Sequence, residues 1–255
     1  MSEIILFRCY DNDSKTVKRF NEISNDCLTK YPVIRLYDTG LGDPLPGSFN
    51  FSLKDYKKNN LPLASKEQIK NVFTNDSWYA KKPWTDDQKQ VWYNFGYPVL
   101  LFFEKNPNFD FYWSIEYDVY FHGNWSYFFD LYKYVKHDFL GIGLSEITKD
   151  KIQIDKMFDF QLNFKKRLLS FGAVHRYSKE LLKNTLETLK EQKKCTFSEQ
   201  LFPSVAAYYG MKYDDLNNVV PKRVYKPEYM TPFPLELKKF IYMGGSENRL
   251  YHSVK

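Results

Sequence analysis

The chain has 255 residues, 43% hydrophobic and 27% charged, which allows one large domain with its own core and excludes a disordered or fibrous protein. A net charge of +6 without any Lys/Arg block suits phosphate groups or an anionic surface, and it excludes a dedicated nucleic-acid binder. Three widely spaced cysteines, Cys9, Cys27 and Cys195, argue against a disulfide framework or zinc site and predict a reducing compartment.

Glu3 to Tyr10 reads as a first strand, because Ile4, Ile5, Leu6 and Phe7 form a continuous apolar run that stops at the turn cluster Tyr10-Asp11-Asn12-Asp13. A helix follows from about Ser14, with Val17, Phe20, Ile23 and Cys27 on one face. Tyr31-Pro32 ends it, and Val33 to Tyr37 is a second strand closing at Asp38-Thr39-Gly40. Strand, helix, strand predicts a parallel α/β sheet, in which ligands bind beyond the carboxyl ends of the strands. Tyr10, Asp11 and Asp38 fall at that edge; Asp11 and Asp38 also read as ordinary turn residues.

Leu41 to Leu63, rich in Gly, Pro, Asn and Lys, is expected to be an irregular loop. Ser65 to Gln68 and Thr85 to Gln88 have the spacing of capping boxes and predict two helix starts, the second helix interrupted at Gly96-Tyr97-Pro98. Val99 to Phe103 fits a helix or a buried strand equally.

Phe109 to Tyr120, FDFYWSIEYDVY, is a short aromatic run between Asn106-Pro107-Asn108 and Gly123-Asn124, and reads as a buried strand. Alternation along such a strand puts Glu116 and Asp118 on one face and Tyr117 on the other. Two carboxylates held close repel each other and resist desolvation, so a divalent cation or basic side chains must offset them. Trp113, Tyr117, Tyr120, Trp125 and Tyr127 flank the pair; core packing is their default role, with stacking on a sugar or base open to some.

Asp138 to Gly143 reads as a further short strand, Ser178 as the cap of a helix carrying Leu181, Leu182, Leu186 and Leu189, and Ser198 to Pro203 as the opening of another helix, Pro203 to Tyr209, stopped by Gly210. Thr148 to Phe164 is mixed, and Val220 to Pro234 is an extended connection. No run of about 18 apolar residues occurs, and MSEIILFRCYDND lacks a basic region ahead of a long apolar one, so neither a membrane span nor a signal peptide is predicted.

The order of three segments is informative. Trp113 to Val119 is similar to the D-x-D position of GT-A-fold glycosyltransferases, with Glu116 in place of the first Asp. Ser198 to Ser204 resembles the segment bearing the acidic catalytic residue of inverting members. Tyr251 to Lys255 resembles the late His that completes the metal site, with a basic residue for phosphate beside it. The resemblance implies an α/β, Rossmann-like mixed sheet flanked by helices in a single domain, with residues 1–140 as the nucleotide-sugar-binding half and 141–255 as the acceptor-binding half and C-terminal tail.

It further implies a Mn²⁺ or Mg²⁺ ion held by Asp118 and His252, with Glu116 on a ribose hydroxyl or a water. Imidazole suits Mn²⁺ better than Mg²⁺. Tyr10, Asp11, Asp38, Arg249 and Lys255 would complete the contacts to a nucleotide-diphosphate sugar, with Gly244-Gly245 letting the tail turn over the site. Glu199 would take the acceptor proton in an inverting displacement. Glu199 also fits a carboxylate placed for the helix dipole, which would lower its pKa and weaken it as a base. Asp214, Asp215 and Glu146 stand as fallback bases, and His175-Arg176 as a structural pair or a phosphate contact.

The enzyme most similar in character is a bacterial lipopolysaccharide or capsule glycosyltransferase. Its acceptor would be an oligosaccharide or a lipid-linked glycan, its location cytoplasmic with peripheral contact at the inner membrane, and nucleic acid no partner. Two other readings stay open: a non-catalytic glycan- or nucleotide-binding protein on the same fold, and a nucleotidyltransferase. The second would carry a glycine-rich basic loop after the first strand, where Cys9 to Asp13 has neither glycine nor lysine.

Overall fold

The computed structural model describes residues 1–72, 84–147, 164–235 and 248–254. A seven-stranded mixed sheet organises the chain. β1 (Glu3–Cys9) lies between parallel neighbours β2 (Val33–Asp38) and β4 (Phe111–Glu116), and all seven of its residues are buried. The order across the sheet is β3-β2-β1-β4-β7-β6-β8, where β3 is Ser48–Phe51, β6 Phe139–Glu146, β7 Leu168–Ser178 and β8 Tyr213–Asp215. β7 runs antiparallel to both β4 and β6, which makes the sheet mixed. A second, three-stranded sheet joins β5 (Tyr120–Phe121), β10 (Leu250–Val254) and β9 (Tyr225–Leu235).

Alternation along β1 splits the core in two. Ile4 and Leu6 face a layer that includes α5 (Tyr97–Lys105), α7 (Lys179–Gln192) and α8 (Ser198–Tyr208). Ile5, Phe7 and Cys9 face the layer of α1 (Ser14–Cys27) and α6 (Trp125–Asp130). Trp113 is the hub of that second layer, 5.2–5.5 Å from the rings of Phe128, Phe129 and Tyr132. The aromatic richness of the chain is spent largely here and in the opposite layer; of the aromatics flanking the acidic pair, Trp113 and Trp125 are core, Tyr117 and Tyr120 are half-buried and Tyr127 is exposed.

Most helix starts follow their local chemistry. Asp13 caps α1 through the Thr16 amide at 2.7 Å, and Ser178 caps α7 through the Leu181 amide at 3.1 Å. Both capping boxes form: Ser65 and Gln68 exchange bonds of 2.8 and 3.1 Å before α3 (Lys66–Val72), and Thr85 and Gln88 bonds of 2.8 and 3.3 Å before α4 (Asp86–Tyr93). Val99 to Phe103 resolves as helix, inside α5, with Pro98 in its first turn where no amide partner is needed.

Four expectations change. Leu41 to Leu63 is not all loop: it holds edge strand β3 and helix α2 (Leu53–Lys58), whose capping box between Ser52 and Asp55 was concealed among Gly and Pro. The strand through Trp113 ends at Glu116, and the chain turns at Tyr117-Asp118, with the Val119 amide bonded to the Glu116 carbonyl at 3.1 Å. β6 continues to Glu146, three residues past Gly143. The helix opened by Ser198 to Pro203 is already regular from Ser198 and runs to Tyr208, so Pro203 sits inside it and not at its first position. β7 had no counterpart in the sequence reading, although it carries His175 and Arg176.

His175 and Arg176 are structural. Arg176 is fully buried, bonded to Glu3 at 2.8 Å and to the Val135 carbonyl at 2.7 Å, and its guanidinium lies 3.6 Å from the Phe111 ring centroid. Trp113 donates its indole N–H to the other Glu3 oxygen at 2.7 Å. Burial, reinforced by the charge of Arg8, pushes the His175 pKa down to about 3, so the ring is neutral between Tyr177 and Ser170. Among the described residues no helix is long and apolar enough to cross a membrane.

Candidate active site

The C-terminal ends of β1, β2 and β4 lie side by side, and β4 delivers the two carboxylates there. Glu116 is its last residue; Asp118 follows in the turn. The C-terminal strand β10 pairs antiparallel with β5, just beyond that turn, and the Val254 amide donates to the Asp118 carbonyl at 2.9 Å. This docking places His252 against both acids: Nε2 is 3.1 Å from Asp118 Oδ1 and 3.3 Å from Glu116 Oε2. One ligand atom from each of the three lies within 4.8 Å of the others.

The imidazole is oriented from behind. Nδ1 is 2.9 Å from the Thr231 carbonyl, which can only accept, so Nδ1 carries a proton and Nε2 is the atom aimed at the carboxylates. Ser253 donates its hydroxyl to Asp118 Oδ2. Burial by itself would lower the His252 pKa, but hydrogen bonds to Asp118 and then Glu116 outweigh it and raise the value to about 10. Without a cation, a proton on Nε2 offsets the charge of the two acids; a divalent cation would take the place of that proton on Nε2. Two carboxylates and an imidazole with its far nitrogen tied to a backbone carbonyl are a fitting donor set for a divalent cation. Glu116, expected on a ribose or a water, stands within reach of the same point as Asp118 and His252.

Glu199 lies in the first turn of α8, which packs on β7. Its Oε1 accepts the Gly172 amide at 2.8 Å. The residue keeps part of its surface open to solvent while protein crowds the carboxyl. Burial pushes its pKa up to about 7 and the charge of Glu116 adds to the rise, against the Gly172 N–H, Arg8 and His252. The lowering expected from the helix dipole is overridden: desolvation of a crowded carboxylate outweighs the partial charge of one helix end.

The remaining expected residues divide. Tyr10 is half-buried beside Tyr117, ring centroids 6.2 Å apart and edge-on, and burial raises its pKa. Asp11 is exposed and accepts the Thr16 hydroxyl at 2.7 Å; Asp38 is buried and accepts the Gly40 amide at 2.8 Å. Both make the turn bonds of their alternative reading. Arg249 is half-buried, its carbonyl takes the His122 amide at 2.9 Å, and among the described residues it forms no ion pair with the three-residue cluster. Lys255 and Gly244-Gly245 lie outside the described residues. The fallback base Asp215 is committed elsewhere, accepting the Tyr225 hydroxyl at 2.5 Å and the Leu144 amide at 3.1 Å.

No family model and no curated protein matches the sequence. Solved structures do match. The chain is similar in fold to glycosyltransferases. One is a glycosyltransferase involved in the glycosylation of the major capsid of PBCV-1, at 11% identity and TM-score 0.41, covering 100% of this chain and 93% of that one. Another is the galactosyltransferase LgtC in complex with donor and acceptor sugar analogues, at 9% identity and TM-score 0.43, covering 95% and 78%. A third is mouse xyloside xylosyltransferase 1, at 9% identity and TM-score 0.45, covering 98% and 96%. At such TM-scores the functional reading rests on the residues of the site.

One residue near the site escaped sequence reasoning. Arg8 sits on β1 in register with Glu116 and is only 2% exposed. Its charge reaches Tyr10, His175 and Glu199, moving the pKa of each. The available signal was a basic residue inside the apolar run Ile4 to Cys9, where a charge must have a reason to be buried.

Proposed function

We propose that this protein transfers a sugar from a nucleotide-diphosphate sugar to a hydroxyl of a glycan acceptor. The observation that carries the reading is the pairing of two unlike acidic sites near the carboxyl edge of the sheet. One is the Glu116–Asp118–His252 cluster, suited to a divalent cation; the other is Glu199, a carboxyl poised near neutral pH. A leaving diphosphate needs positive charge, and an attacking hydroxyl needs a proton acceptor.

Asp118 and His252, with Glu116 beside them, would hold a Mn²⁺ or Mg²⁺ ion. When bound, such a cation supplies positive charge to the departing diphosphate. The chain's own residues do the rest. Glu199 in its ionised form accepts the proton of the acceptor hydroxyl as that oxygen bonds to the anomeric carbon. The bond from that carbon to the diphosphate oxygen breaks, and its electron pair leaves on the phosphate. A single displacement of this kind inverts the anomeric configuration. Tyr10 and Tyr117 offer ring faces and edges beside the β1 and β4 ends for the nucleotide or sugar.

We assign the acceptor as an oligosaccharide or lipid-linked glycan, and the setting as surface polysaccharide synthesis, lipopolysaccharide or capsule, with peripheral contact at the inner membrane. The resemblance of the three sequence segments supports this finer assignment. The test is a thermal-shift screen of nucleoside diphosphates and nucleotide sugars, each with Mn²⁺ and with EDTA, since a ligand of the native state raises the melting temperature. A shift with one nucleotide that requires Mn²⁺ is the expected result; no shift with any of them overturns the reading. NMR of the product anomer then checks inversion.

A further inference from the structure

Gly172 is held in an unusual way. The pairing of β4 with β7 ends at Ile115 opposite Val174, and the register of β6 on β7 shifts between Gly141 opposite His175 and Ile142 opposite Phe171. Gly172 therefore lies where the ladder is irregular, and its polar groups turn to side chains. Its N–H donates to Glu199 at 2.8 Å, and its carbonyl accepts Nη2 of Arg8. Phe95 closes the arrangement. Its ring lies 4.5 Å from the Arg8 guanidinium carbon, and a Cβ on Gly172 would meet that ring at 2.5 Å.

A guanidinium that is 2% exposed normally takes a carboxylate partner, as Arg176 does with Glu3 at 2.8 Å. Among the described residues Arg8 has no such ion pair. Its Nη2 bonds instead to the Gly172 carbonyl, on the backbone that holds Glu199.

We propose that Arg8 is a positioning residue for Glu199, acting through Gly172: it anchors the Gly172 carbonyl, and the Gly172 N–H fixes the carboxyl that takes the acceptor proton. The Phe95 ring packs against both the guanidinium and the glycine and leaves neither room to shift. The inference rests on the assignment of Glu199 as the base. Arginine suits the task because its rigid fork fixes direction as well as charge, whereas lysine offers a flexible point charge.

The experiment compares wild type, Arg8→Met and Arg8→Lys by two readouts. The first is the hydrogen-exchange protection of the Gly172 amide, which needs no substrate. The second is the split between kcat and the donor KM. Expected is a fall of roughly 10-fold or more in Gly172 protection, with kcat down by about 100-fold and donor KM unchanged, the scale of a small misplacement of a catalytic group. Unchanged Gly172 protection overturns the proposal. So does a raised donor KM at normal kcat, which would make Arg8 a phosphate contact. If Arg8→Met does not fold, Arg8→Lys carries the test. Failure of the transfer reading is separate: wild type would then turn over no nucleotide sugar, and Gly172 exchange would still decide whether Arg8 anchors it.

Discussion

Nε2 of His252 lies 3.1 Å from Oδ1 of Asp118, while the neighbouring Ser253 donates to the other oxygen of the same carboxylate. Two consecutive residues of β10 thus fix both oxygens of one acid in the turn after β4. The prediction is that Ser253→Ala, which leaves all three cluster residues in place, weakens Mn²⁺ affinity by roughly 10- to 100-fold, as loss of a supporting bond to a ligand does. Calorimetric titration with Mn²⁺ alone measures it; unchanged affinity would show that the hydroxyl does not orient Asp118.

Removing a ligand should cost more. Asp118→Asn is expected to abolish both the Mn²⁺-dependent thermal shift with nucleotide and sugar transfer, while the far-ultraviolet circular dichroism stays that of the wild type. Full activity in this variant would remove the cluster from the reaction.

Glu199 gives a pH signature. A base with its pKa raised to about 7 is ionised only above that pH, so kcat should rise with pH through about 7. The same shift acts on stability with opposite sign. The folded state binds the Glu199 proton more tightly than the unfolded chain, so its contribution is complete below about 4.5 and is lost as pH rises through about 7. Glu199→Gln should remove that slope from a plot of melting temperature against pH and reduce kcat by about 10²–10⁴-fold, with donor binding retained. A variant with normal turnover would rule Glu199 out as the base.

The buried Glu3–Arg176 pair bears on stability. Glu3→Ala strands a guanidinium that is fully buried and leaves the Trp113 N–H without its acceptor. The expected loss is about 3–5 kcal/mol in denaturant unfolding. Arg176→Met with Glu3→Gln, which removes both charges, should recover a large part of it. A double variant as unstable as the single one would contradict this account.

Much of the fold was legible locally. Continuous apolar runs marked β1 and β4, an apolar face marked α1, short-range caps marked α3, α4 and α7, and the strand–helix–strand opening announced parallel β1 and β2, because these depend on residues a few positions apart. β3, α2 and β7 were not. β3 is a short edge strand whose pairing with β2 no local pattern reports, and β7 carries buried His and Arg that alternate poorly but find partners across the sheet. The extent of the strand bearing Glu116 was also misread: the Tyr117-Asp118 turn interrupts an apolar run that has no glycine or proline to mark it.

For the site, the sequence by itself determined which groups could do the chemistry: an acidic pair at the end of a buried strand, a late histidine and an acid opening a helix. The tertiary structure decided which of them meet. β10 docks on β5 and carries His252 to Glu116 and Asp118, whereas Asp11 and Asp38 bond to their own turns. It also decided protonation. The sequence shows Glu199 at a helix start, where the dipole lowers a carboxyl pKa; packing against β7 crowds it, and desolvation raises the value instead. Spacing along the chain fixes residue type and local geometry, while burial and through-space charge exist only once distant strands are assembled.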